Sequence, residues 1–274
     1  MIIKKHINSE KTYIPNMNYV YPNEPNSPFI HPKIIRKVKI DKDYPFLSKT
    51  LKDKITNYLF YFVIFLLVFP LQKILFGLKI KGKENYRKNK KYFKNGGMSV
   101  SNHVYKWDFL ACLQALKYRR MWFPARAIQF SSKDANLIKN VGGIPVPETI
   151  SGIREFNKAF DTLHSKNKWI HFFPEAFRWD YFQPIRPFLK GAFTMAIKYD
   201  IPILPLAFSY REPTGIYKLM KIKHPLITLS IGTPVFQDKN LTKKENVAKM
   251  RKECHDQIVK MAGIEQNMYP AEAD

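Results

Sequence analysis

Cysteine, acidic residues and long uninterrupted apolar runs are all scarce in this chain, and each shortage narrows what it can be. Only Cys112 and Cys254 occur in 274 residues. Neither belongs to a metal-spaced cluster, so no disulfide framework and no structural metal are expected, and a reducing compartment fits. Acids number 22 against 46 Lys and Arg, a net charge of +24. Such an imbalance implies an anionic partner, either nucleic acid or an anionic lipid surface. A secretory signal peptide is not expected, because the first apolar run starts near residue 58 and no small-residue cleavage site follows it. Neither an internal repeat nor an interdomain linker is evident.

The apolar run that does occur, Tyr58 to Leu71, is only fourteen residues long. As a helix it would span about 21 Å, against roughly 30 Å of hydrocarbon. Pro70, Gln72 and Lys73 interrupt its continuation. Lysines flank both ends, with Lys49, Lys52 and Lys54 before it and Lys79 to Lys94 after it. A spanning helix favours one basic side. The pattern therefore predicts a helical hairpin over 48–77 that dips into one leaflet, with a buried core helix and a true span as the alternatives.

Four regions follow: an extended arm over 1–47, rich in Pro, Asn, Tyr and Lys, the anchoring segment 48–77, an α/β domain 78–264 and a frayed tail 265–274. Within the domain, short β-rich runs alternate with amphipathic helices, the signature of a sheet with crossover helices. Strands are predicted at Leu78–Gly82, Met98–Ser101, Met121–Ile128, Gly143–Val146, Trp169–Phe173, Pro202–Phe208 and Leu226–Ile231. The last helix opens on Thr242-Lys243-Lys244-Glu245, a capping box, and lines Val247, Met250, Cys254, Ile258 and Met261 along one face.

The chemistry concentrates at Ser101-Asn102-His103-Val104-Tyr105-Lys106-Trp107-Asp108. In one helix His103 and Asp108 would stand about 140° apart and could not pair. If a strand ends near His103 and a helix begins near Trp107, the turn can carry the carboxylate back to the imidazole. A neutral imidazole so held is a general base for a weakly acidic hydroxyl. By itself the spacing is a weak signal, equally consistent with a loop histidine beside a helix-capping aspartate.

Three blocks follow in order: Val141-Gly142-Gly143-Ile144-Pro145-Val146, Phe172-Phe173-Pro174-Glu175-Ala176-Phe177-Arg178, and Ile201-Pro202-Ile203-Leu204-Pro205-Leu206. Together with His103 and Asp108 they resemble the glycerolipid acyltransferase family, the lysophosphatidate acyltransferases and their relatives, over roughly residues 75–235. The resemblance implies a single mixed sheet flanked by helices and a catalytic pair, His103 and Asp108. It implies Glu175, Arg178 and Gly143 at the acceptor, and Pro202 and Pro205 at the acyl chain or thioester. Where relatives carry a phosphate-gripping arginine this chain has Glu148, so Arg126, Arg154, Arg186 and Lys190 become candidate substitutes, Arg126 and Lys190 foremost. The block around Glu175 usually continues with glycine and a small hydroxyl residue; here Ala176 and Phe177 stand there.

The expected activity is transfer of a fatty acyl group from an acyl thioester, on coenzyme A or acyl carrier protein, to the free hydroxyl of a lysophospholipid, with lysophosphatidate first. No bound cofactor or metal is called for. The expected partners are an anionic membrane surface, the lysophospholipid and acyl carrier protein, without nucleic acid, and the active site would lie on the cytoplasmic face of a membrane, its groove flanked by the basic stretch Lys79 to Lys94. The alternatives are a related acyltransferase with another polar-lipid acceptor, and a basic membrane-surface or nucleic-acid-binding protein without chemistry.

Overall fold

Residues 12–47, 50–117 and 119–272 are described in the structure, a computed structural model. The first eleven residues of the arm, Lys49 of the basic flank and the last two residues of the tail lie outside the described residues. All seven predicted strands form near their expected bounds: β1 Lys79–Lys81, β2 Gly97–Ser101, β3 Met121–Arg126, β4 Gly143–Val146, β5 Trp169–Phe172, β6 Ile203–Arg211 and β7 Leu226–Ile231. They make one mixed sheet in the order β1-β7-β6-β2-β5-β3-β4. β6, β2, β5, β3 and β4 run parallel, β7 is antiparallel to β6, and β1 is parallel to β7. Central strands of such a sheet are covered on both faces and read as continuous apolar runs. β2 and β5 are buried throughout.

Helices cover the two faces. Those of the domain are α3 Lys83–Asn89, α4 Asp108–Ala115, α5 Ala135–Asn140, α6 Ile150–Ser165, α7 Gly191–Tyr199, α8 Ile216–Leu219 and α9 Lys243–Met261. On one face Leu113, Leu116 and Phe109 of the α4 region pack with Leu204, Leu206 and Phe208. On the other, Phe160 of α6, Phe193 of α7 and Ile258 of α9 pack with Met98, Val100 and Ile170. The capping box of α9 is present: the Thr242 hydroxyl accepts the Glu245 N–H and the Glu245 carboxylate accepts the Thr242 N–H.

The expected hairpin over 48–77 is instead one continuous rod. Its parts are α1 Leu51–Val63, a π-helical turn Ile64–Val68 and α2 Phe69–Leu75. A proline inside an α-helix lacks an N–H and crowds the carbonyl four residues earlier. Widening the turn just before Pro70 absorbs that misfit without breaking the helix. The resulting 25-residue helix is long and apolar enough to cross a membrane by length and composition. It lies along the α4 and α5 side of the domain, with Ile64 and Phe69 buried and Ile55, Tyr58, Leu59, Phe62, Leu66 and Ile74 exposed.

Three further expectations change. The arm is extended as predicted, but it is packed: the Thr12 hydroxyl donates to the Gly263 carbonyl, Tyr21 stacks on Trp179, and Ile34 bridges to Ser132. The tail is docked rather than frayed, because Phe188 N–H donates to Ala271 at 2.9 Å and the Asn267 side chain bonds both backbone groups of Ile185. The basic stretch 79–94 was expected beside the catalytic groove. Because β1 runs opposite to β2 and the rest of the parallel set, it delivers that stretch to the amino ends of those strands, where Phe93 packs against Trp169.

Candidate active site

At the end of β2 the chain is stitched to β6 by Asn102, whose side-chain amide donates to the Phe208 carbonyl at 3.1 Å and whose Oδ1 accepts the Phe208 N–H at 2.8 Å. From there the chain turns through Val104–Trp107 and enters α4 at Asp108. The turn carries the carboxylate back as expected, with Asp108 Oδ2 2.6 Å from His103 Nδ1. The same oxygen accepts the Val104 N–H at 3.1 Å, and Oδ1 accepts the Phe109 N–H at 2.7 Å. These bonds, at the positive end of a helix, hold a carboxylate in one orientation. With Nδ1 committed to Asp108, Nε2 is the nitrogen left to take a proton. The ring stacks on Phe173 with centroids 4.0 Å apart and is 18% exposed, so one face is fixed and an edge stays open.

Glu175 is placed differently from the expectation of an acceptor contact: it is 1% exposed and its carboxylate is used inside the protein. Oε2 accepts the His103 backbone N–H at 2.8 Å and an Arg186 guanidinium N–H at 2.9 Å, while Oε1 accepts the Arg186 backbone N–H at 2.9 Å. Arg186 is equally buried. It also donates to the carbonyls of Pro25, at 2.9 Å, and Phe177, and lies over the Trp179 ring at 4.4 Å. Burial holds its guanidinium below the usual range while the Glu175 charge works against that shift. The candidate phosphate cation Arg186 is thus internal scaffolding, and the arm, through Pro25, is part of it.

Arg178 stands in the loop beside His103. Its loop is laid on the catalytic turn, with Trp179 N–H on the His103 carbonyl at 3.1 Å and Tyr181 N–H on the Val104 carbonyl at 2.7 Å. Arg178 Nε is 2.8 Å from Asp180 Oδ1, both side chains about a quarter exposed. Burial pushes the Asp180 carboxyl up, against the pull of Arg178. Arg126, at the end of β3, sits over the Phe177 ring of the same loop at 4.7 Å. Lys190 is exposed just past Leu189, whose N–H bonds the Pro174 carbonyl at 2.8 Å. Glu148 and Arg154 are exposed beyond β4.

Three predicted contacts lie away from the pair. Gly143 begins β4 at the opposite, amino end of the sheet, and a Cβ there would stand 2.5 Å from Ile138 Cγ2. Close packing accounts for the glycine. Pro202 and Pro205 are buried at the start of β6 beside β2, where Pro205 pairs with Val100 and accepts the Gly232 N–H. Their visible work is in the sheet.

Arg186 was a candidate for another role, and two residues escaped sequence reasoning altogether. Asn102 adjoins His103 in the motif, which was its only signal. His171, on β5, is buried beneath the pair with Nδ1 2.8 Å from Ser99 Oγ and Nε2 3.3 Å from Ser101 Oγ. Burial pushes its pKa down to about 3, so this imidazole is neutral and adds no second positive charge under His103. Cys112 lies 3.8 Å from it, its thiol raised well above the usual range by burial and by Asp108. That raises the proton affinity of this sulfur and makes it a poor nucleophile. The arrangement offers one oriented base, one open edge and nearby guanidinium groups, which suits deprotonation of a hydroxyl on an anionic substrate.

Residues 77–209 match a family model described as Acyltransferase. Among solved structures the chain is similar to the 1-acyl-sn-glycerophosphate (LPA) acyltransferase PlsC from Thermotoga maritima, at 18% identity, covering 79% of this chain and 84% of that one with a TM-score of 0.49. No curated protein matches the chain.

Proposed function

We propose, from the premise that the chain belongs to the acyltransferase family through residues 77–209, that it moves a fatty acyl group from a thioester to the free hydroxyl of a lysophospholipid. The observation that carries this is the 2.6 Å contact of His103 Nδ1 with Asp108. His103 Nε2 takes the acceptor's hydroxyl proton, and the oxygen attacks the thioester carbonyl. A new ester bond forms, the carbon–sulfur bond breaks, and the thiolate leaves with the proton returned by His103. Asp108 stays a carboxylate and stabilises the imidazolium between the two transfers. With Cys112 buried and paired elsewhere, direct transfer within a ternary complex is favoured over an acyl-enzyme. Arg178, with Arg126 beside its loop, is the group we assign to an anionic headgroup, which puts lysophosphatidate first among acceptors. Coenzyme A and acyl carrier protein both remain open as donors.

The acceptor's hydroxyl lies at headgroup level, so the domain works against a bilayer. The exposed apolar side of the α1–α2 rod supports this, since its far end reaches the site: Phe76 packs on Tyr105 and Trp107, next to His103. The test offers the purified protein and His103→Ala a panel of lysolipids with labelled acyl-CoA and acyl carrier protein thioesters. General-base help is worth about 10²–10⁴-fold. Transfer should disappear in the variant while its thermal melt is kept; retention of more than about a tenth of the rate removes His103 from this role. Wild-type protein left in the supernatant with neutral vesicles at high salt removes the anchor.

A further inference from the structure

The amino edge of the sheet, opposite the catalytic turn, holds a cavity of about 500 Å³. That is the size range of small-ligand pockets. Its walls come from the turn before β3, the turn before β5, the start of β4, the first turns of α1 and the arm segment Tyr44–Leu47. Among the described residues six cations line it, Lys54, Arg119, Arg120, Lys139, Lys166 and Lys168, and no carboxylate does. The two guanidinium groups are held in place. Arg119 donates to the carbonyls of Phe93 and Asn167 and lies over Trp169 at 5.1 Å. Arg120 lies between Tyr61, at 4.8 Å, and Trp122, at 5.0 Å, and its buried Nε has no hydrogen-bond partner among the described residues. Like charges gathered this way repel one another, and a donor left empty in a desolvated place is costly. An anion relieves both.

We propose that this cavity is a second, non-catalytic binding site, for a phosphate-bearing anion. Guanidinium groups fixed by aromatic stacking lose little freedom when they fork onto a phosphate, which is why they suit it better than free lysines. The site is distinct from the catalytic one. β5 starts at Trp169 in its wall and ends next to Phe173 under His103, about 13 Å away at the rise of a strand. The exposed apolar residues Ile55, Tyr58, Leu59 and Phe62 start beside Lys54, so a phosphate on a lipid could enter with its chains along α1. A free phosphate ester could enter from solvent. Both offer the same chemistry to the six cations.

The experiment uses the full chain and separates the two sources. Co-sedimentation is measured with phosphatidylcholine vesicles and with vesicles containing phosphatidylglycerol, and inorganic pyrophosphate is titrated by calorimetry. The cavity variant is Arg120→Gln with Lys168→Gln, and an equal-charge control is Lys244→Gln with Lys260→Gln on α9. The cavity variant should lose at least tenfold in affinity for the anionic vesicles or for pyrophosphate, whereas the control should lose less than threefold and binding to neutral vesicles should not change. Loss of both responses assigns both sources, loss of the vesicle response alone the lipid, and loss of the pyrophosphate response alone the free ester. Equal losses in variant and control, or no loss in either, overturn the proposal, because diffuse charge then explains the binding. Should Arg120→Gln unfold the protein, Lys139→Gln with Lys166→Gln and Lys168→Gln, all exposed side chains, is read against a three-lysine control by the same criteria.

Discussion

Two ion pairs flank the catalytic turn, and they do opposite things. Glu175 and Arg186 are both essentially inaccessible and share three hydrogen bonds with each other and with the His103 backbone N–H. Arg178 and Asp180 are about a quarter exposed and meet at a single contact of 2.8 Å. A buried pair is weak evidence of net stability, but removing one partner strands the other charge. A partly exposed pair contributes less to folding and can exchange partners with a ligand. Only four positions separate Glu175 from Asp180 along the chain, yet one pair is sealed under the turn and the other stays partly open to solvent.

The sharpest way to break the contrast is Glu175→Ala, which leaves Arg186 uncompensated and His103 N–H without its acceptor. It should cost about 3–5 kcal/mol, roughly a 10 °C fall in Tm for a chain of this size, with transfer lost as well. Glu175→Leu with Arg186→Met should recover much of the stability, since neither charge remains, while activity stays low. Thermal melts beside single-turnover rates read both, and an unchanged Tm in the first variant would show that the pair is not structural.

Arg178→Ala should do the reverse. A charge-assisted contact worth about 1.5–3 kcal/mol becomes a roughly 10–100-fold rise in KM for a phosphate-bearing acceptor, with kcat nearly kept and stability changed by less than about 1 kcal/mol. Steady-state kinetics on charged and uncharged lysolipids test this. An equal effect on both acceptors would take Arg178 away from the headgroup.

The smallest effect lies between the pairs. Ala176 has φ of 63°, in the left-handed region that costs a residue with a Cβ about 1–2 kcal/mol. Related blocks carry glycine at this position. Glycine also loses more freedom on folding, so Ala176→Gly should gain only about 0.5 kcal/mol, visible in denaturant midpoints, with the rate unchanged. A loss of stability would mean that the Ala176 methyl packs in a way that outweighs its strain.

How the sequence showed so much of this fold and less of the site follows from what each depends on. Strands such as Met98–Ser101 and Leu226–Ile231 are apolar runs between turn residues, so local composition announces them. The meeting of His103 with Asp108 needed only a turn in place of a helix. Arg186 could be read as a candidate cation, but its structural role gave no such sign: it lies in an aperiodic loop, and its partners, Glu175 and Pro25, are set by tertiary packing alone. Pro70 misled because proline normally ends a helix, whereas here the π turn at Ile64–Val68 accommodates it. The position of the 79–94 lysines depends on the direction of β1, which composition does not encode. Gly143 sat in a family block, but its place at the amino end of β4 could be read only from coordinates.

The bond from Arg186 to the Pro25 carbonyl closes a loop of 161 positions. The entropy of closing a loop rises only slowly with its length, but contacts so distant in sequence form late. The arm is made before the domain it packs on, and its Tyr21–Pro25 stretch has no place to dock until Trp179, Phe182 and Arg186 have followed. The support of the His103 backbone is therefore among the last features of the molecule to assemble. A chain stalled before that point would have strands β2 to β5 and His103, but neither the partner strand of β1 nor the geometry in which His103 is held.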